Sequence, residues 1–137
     1  MKYASIASLV LLVLVGGYAV ASRMILNPRV VRELREHPDG ERARKVMLIT
    51  LPSGKAIPVN YLRDGQRVYA GADFPWWREL RGGGAEVSVL IRGRSLKGHG
   101  RAIEDDPVLR TSVFGRLRPT APKWAGTLVE VTFEKPR

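Results

Sequence analysis

Residues 73–84 read DFPWWRELRGGG, which places two of the chain's 3 tryptophans beside Arg78 and Arg81. An indole next to guanidinium groups can wall a planar, anionic ligand, the ring stacking while arginine meets a phosphate. Two large aromatics can equally plug the end of a fold, since such side chains are mostly packing. The spacing separates the two jobs. At about 100° per residue, Trp76 and Leu80 lie about 40° apart, and Trp77 sits about 60° beyond Leu80 in the direction of Arg81. Trp76 and Leu80 are therefore expected in the core, and Trp77 on the seam between apolar and basic faces.

Other chemistries are thinly supplied. The chain has no cysteine, which excludes thiolate metal sites, disulfides and a cysteine nucleophile. Its 2 histidines, His37 and His99, stand far apart in unlike contexts, so no histidine-based metal cluster is expected. Lys and Arg number 23 against 13 Asp and Glu, a net charge of +10. Such a balance favours polyanionic partners: anionic lipid, a phosphorylated small molecule or nucleic acid. Aromatics do not alternate with basic residues along the strands as nucleic-acid stacking platforms would, so no nucleic-acid partner is expected.

The elements that must position these residues begin after an apolar N-terminus. From Tyr3 to Ser22 no residue is charged, a run of 20 that as a helix spans a bilayer core. Arg23, Arg29, Arg32 and Arg35 follow it, whereas the other flank offers Lys2 and the amino terminus. This positive-inside bias makes residues 1–24 one N-terminal transmembrane helix with the body cytoplasmic, and the basic segment 25–44 is drawn to anionic headgroups. The alternative is a signal peptide cleaved near Ala19-Val20-Ala21, with a secreted body. Asn27-Pro28 caps a short helix carrying Val30, Val31 and Leu34, and 37–45 reads as polar linker.

Residues 45–137 read as mainly β with short helices. Short apolar runs cover 46–51, 56–62 and 66–71, with Pro52-Ser53-Gly54 and Asp64-Gly65 as turns. The Trp segment follows, then alternating Val87, Val89 and Ile91, then SLKGHGRAIE (95–104), whose Gly98 and Gly100 suggest a bulge or a close backbone approach. Asp106-Pro107 opens a helix with Val108, Leu109 and Val113 inward. The last strand alternates Val129, Val131 and Phe133. About six antiparallel strands joined mostly by hairpins close into a barrel to remove exposed edges.

Residues 45–107 resemble the deazaflavin-dependent nitroreductase (quinone-reductase) family, a branch of the split β-barrel flavoproteins. The resemblance lies in an ordered set: Ser53, Gly54 and Lys55 before Pro58-Val59; Trp76, Arg78 and Leu80 before glycines; and Val87, Val89, Arg92, Gly93 and Arg94. It implies a split β-barrel in which Ser53, Gly54 and Lys55 meet the cofactor phosphate, while Pro58, Trp76, Trp77 and Arg78 border the cofactor. The implied cofactor is an 8-hydroxy-5-deazaflavin coenzyme, with FMN or none as alternatives. The implied activity is hydride transfer to a quinone or similar acceptor, in a chain that can pair as a homodimer. Tyr61, Tyr69, Ser88 and His99 could donate a proton, but none is singled out as catalytic. Two positions depart from the family pattern: Leu51-Pro52 replace a basic residue before Ser-Gly, and Glu79 replaces an asparagine. Both weaken the expected phosphate contact. They keep open a non-enzymatic, membrane-anchored barrel that binds a flavin, anionic lipid or partner protein.

Overall fold

The computed structural model describes residues 28–122 and 125–134. The expected transmembrane segment and the Asn27 cap lie outside them. Among the described residues no helix is long and apolar enough to cross a membrane.

Two helices, α1 (Pro28–Glu36) and α2 (Glu41–Lys45), lead into β1 (Val46–Thr50), β2 (Ala56–Asp64) and β3 (Arg67–Ala72). A 3-10 helix (Pro75–Leu80) separates these from β4 (Ala85–Ile91) and β5 (Arg94–Ile103). Helix α3 (Pro107–Leu117) precedes β6 (Thr127–Phe133). The strands form a closed antiparallel barrel in the order β1-β2-β3-β6-β5-β4, with β4 returning to β1 through Leu48↔Leu90 and Ile49↔Val89. The expected six-stranded barrel is the one observed. The β2–β3 hairpin closes on Asp64↔Arg67, and of its two central residues only Gly65 has a positive φ (61°), as a type II′ turn requires at its first position.

Period-2 alternation sorts the side chains. Met47, Ile49, Ile57, Val68, Ala70, Val87, Val89, Val129 and Val131 fill the barrel. Their alternates face outward, and helices cover two of those outer faces. Leu34 of α1 and Ala43 of α2 pack on Leu48. Val113 and Phe114 of α3 pack on Tyr69, Ile103 and Leu128. Between these coverings, the outer side of β5 (Lys97, His99, Arg101) stays exposed.

Three expectations are corrected. Residues 41–45 form a helix instead of linker, because burying Ala43 against Leu48 holds one turn that five residues cannot signal by periodicity. Val108 does not face inward but is 79% exposed, lying off the Leu109–Val113–Leu117 stripe. Gly98 and Gly100 make no bulge: pairing runs unbroken through both, to β4 and to β6. The close approach is the reason for them. A Cβ on Gly98 would come within 2.8 Å of the Thr132 carbonyl oxygen, and one on Gly100 within 3.2 Å of the Val87 methyls.

Candidate functional site

The 3-10 helix joins the end of β3 to the start of β4, and the Ser53–Lys55 turn joins the end of β1 to the start of β2. Thr50 pairs with both Ala56 and Ser88, so turn and helix share one end of the barrel. Pro75 begins the helix, and its wider 3-10 spacing still buries Trp76 (9% exposed) and Leu80 (0%) in the barrel core. Trp76 and Leu80 are core, as their spacing predicts. Trp77 is half-buried and Arg78 exposed.

The indole of Trp77 is already engaged by the chain's own cations. The Arg81 guanidinium lies 4.6 Å from its ring centroid and that of Arg78 lies 5.8 Å away. Arg81 is held there by Glu104, to which its Nη2 donates at 2.9 Å. Behind the helix the glycine run is tied to β5 at Gly83, whose carbonyl oxygen lies 2.6 Å from His99 Nε2. A carbonyl only accepts, so this nitrogen carries the proton.

Pro58 and Trp76 come together in a cleft of about 180 Å³, whose wall also includes Asn60, Asp73, Phe74 and Arg118. Sequence reasoning missed Arg118. It follows α3 in RLRPTAP, where nothing distinguishes it from the chain's other cations. In the fold it is a clamp: it donates to both Asp73 carboxylate oxygens (2.7 and 3.0 Å) and to the Gly71 carbonyl oxygen (2.7 Å). Its guanidinium also lies 5.2 Å from the Phe114 ring centroid. Bidentate pairing and stacking fix the orientation of that charge at the cleft.

The Ser53–Lys55 turn is closed by Gly54 N–H donating to the Leu51 carbonyl oxygen at 2.9 Å. Its free donors point at a carboxylate. Ser53 N–H donates to Glu79 Oε1 and Ser53 Oγ to Oε2, each at 2.9 Å. Glu79, the residue that departs from the family pattern, thus reaches across 26 positions to the turn that the resemblance assigns to phosphate. An N–H, a hydroxyl and the exposed Lys55 suit a phosphate monoester chemically, and a phosphate placed there would displace Glu79. The cleft is smaller than the roughly 300 Å³ at which pockets enclose a drug-sized ligand, so a tricyclic ring would lie against it partly open.

Tyr61 sits at the opposite barrel end, donating to the Ala43 carbonyl oxygen at 3.4 Å. Burial pushes its phenol pKa up, against the lowering effect of Arg92 and Arg63. Tyr69 is buried under α3. Ser88 lies in β4, paired with Thr50 and Lys97. The four candidate proton donors therefore do not converge on the cleft.

No family model matches the chain and no curated protein matches it. Among solved structures, it is similar to a protein provisionally assigned as a pyridoxamine 5′-phosphate oxidase from Listeria innocua (18% identity, TM-score 0.49, 80% of this chain and 94% of that one). It is similar also to a FAD-binding protein from Mesorhizobium loti (18%, 0.49, 69% and 84%). A third is general stress protein 26 from Bacillus anthracis (18%, 0.47, 74% and 89%).

Proposed function

We propose that the domain is a flavin- or deazaflavin-binding barrel that serves as a membrane-anchored oxidoreductase, passing hydride to a quinone or similar acceptor. The observation that carries the reading is that one short helix serves both features: its Trp76 walls the cleft with Pro58, and its Glu79 reaches the Ser53–Lys55 turn. When bound, the cofactor supplies the hydride. The chain's part is to hold and orient. Lys55 and the Ser53 donors fix the phosphate, Pro58 and Trp76 offer an apolar wall, and the Arg118–Asp73 ion pair flanks it. A tether formed by residues 1–24, with the basic segment 25–44 on anionic headgroups, would bring the body to a lipid-soluble acceptor.

The test is optical. Full-length chain in neutral detergent is titrated with deazaflavin coenzyme and with FMN, following cofactor absorbance and tryptophan fluorescence. Saturable binding of one of them is expected. No binding of either at millimolar concentration would reject the reading.

The Ser53–Glu79 contact favours a second reading: a non-enzymatic barrel, tethered at the membrane, whose phosphate turn is permanently satisfied from within. Absence of cofactor binding together with a stable fold would select it.

A further inference from the structure

We propose that Glu79 is an internal anion that occupies a phosphate-recognising turn and sets how tightly that turn takes an external phosphate. Several observations single the turn out. The Ser53 N–H and hydroxyl converge on one carboxylate, each at 2.9 Å, which is two-point recognition of an anion's oxygens. Gly54 has φ 91°, and a Cβ built on it would meet nothing within 4 Å, so the outer side of the turn is open. Lys55 is exposed and makes no ion pair among the described residues, Glu79 included. The turn therefore presents one more cationic donor than its occupant uses. A phosphate monoester has an extra oxygen and extra charge to engage it.

Glu79 is well placed to compete and to leave. It is half-buried on a two-turn 3-10 helix whose Trp76 and Leu80 are anchored in the core, so the side chain can swing without moving the backbone. A tethered competitor lowers apparent affinity by the fraction of time the site is free. With the turn about nine-tenths occupied, an external phosphate binds about ten-fold more weakly than the turn alone would bind it. The choice of FMN or deazaflavin phosphate as ligand rests on the function proposed above. The occupation of the turn by Glu79 does not.

The experiment uses full-length chain in neutral detergent as wild type, Glu79→Ala, Glu79→Gln, Ser53→Ala and the Glu79→Ala/Ser53→Ala double variant. Inorganic phosphate is titrated while the amide resonances of residues 53–55 are followed by NMR, and FMN and riboflavin are titrated in parallel. In Glu79→Ala the Ser53 amide should shift saturably with phosphate at about ten-fold lower concentration than in wild type. FMN should tighten about ten-fold while riboflavin, which lacks the phosphate, does not change. The double variant should lose part of the gain, because Ser53→Ala removes the hydroxyl donor and keeps the backbone N–H. Glu79→Gln, which keeps the shape, should show a smaller gain in the same direction and covers the case of a misfolded alanine variant. An unmoved Ser53 amide in both Glu79 variants, or an equal gain for riboflavin, overturns the inference. Flavins that bind with no effect of Glu79 sink this inference alone. Phosphate that shifts the amides of Glu79→Ala while no flavin binds any form sinks the flavin reading alone.

Discussion

Trp76 and Trp77 adjoin in sequence but belong to different environments. Trp76 fills the barrel end with Leu80, so Trp76→Ala removes a buried indole and should cost about 3–5 kcal/mol, enough to unfold a domain of this size. Trp77 is half-buried, packing on the edge of the core while two arginines lie over its ring. Trp77→Ala should lose about 0.5–1 kcal/mol per cation–π contact and leave a folded protein. Thermal melts of the two variants check this, and equal destabilisation would make the pair a single plug. A second outcome concerns alkaline pH. Burial raises the Tyr61 pKa above its ordinary 10.0, so the folded state holds the phenol proton more tightly than the unfolded state. That contribution is complete below pH 10 and is lost as pH rises through the folded value. Tyr61→Phe should therefore flatten part of the alkaline limb of a stability–pH curve, and an unchanged limb would mean the phenol is solvated like a free tyrosine. At this scale the sequence was informative where burial alone decides, as for Trp76 and Leu80. It marked Glu79 only as a departure from the family pattern and was silent on Arg118, because their partners Ser53 and Asp73 lie 26 and 45 positions away.

The strands announce themselves by alternation, and the Asp64-Gly65 hairpin by its turn chemistry. What local pattern cannot carry is the order of closure: β3 pairs with β6 and β1 with β4 across long stretches of chain. Nor can it show that Val113 and Phe114 of α3 will pack on Leu128, which buries it on the outer face of a strand whose inner face is Val129, Val131 and Phe133; Glu130 is buried on that outer face too. Glu130 tolerates this beside Arg101, at 3.6 Å. The glycines give an element-scale prediction with opposite signs. Gly98→Ala drives a methyl into the Thr132 carbonyl and should cost about 1–3 kcal/mol. Gly115→Ala, in α3 with open space around the new methyl, should add about 0.5–1 kcal/mol. Chemical denaturation of both reads the difference, and a loss at Gly115 would mean that α3 is not the continuous helix described.

At the scale of the whole molecule, the arginines that follow the apolar N-terminal run are the ground for proposing that the body lies on the cytoplasmic side. A reporter active only outside the cytoplasm, fused after Arg137, should stay silent. Strong activity, or a mature N-terminus at Ser22, would put the barrel outside.

Barrel closure also imposes a timetable on synthesis. Strand β6 fills the gap between β3 and β5, and it follows every other strand in the chain. Until the ribosome has made it, β3 and β5 each expose a row of unpaired backbone groups, and exposed rows of that kind recruit other chains. Residues 3–22 precede every strand, so the tether proposed for them would be available to a membrane throughout that interval. The nascent chain is thus at its stickiest before β6 is made, and capture at a membrane by the proposed tether would keep unfinished barrels apart from one another. Ribosome-arrested chains ending before Thr127 should be protease-sensitive and prone to association, whereas chains with Phe133 clear of the ribosome should resist both.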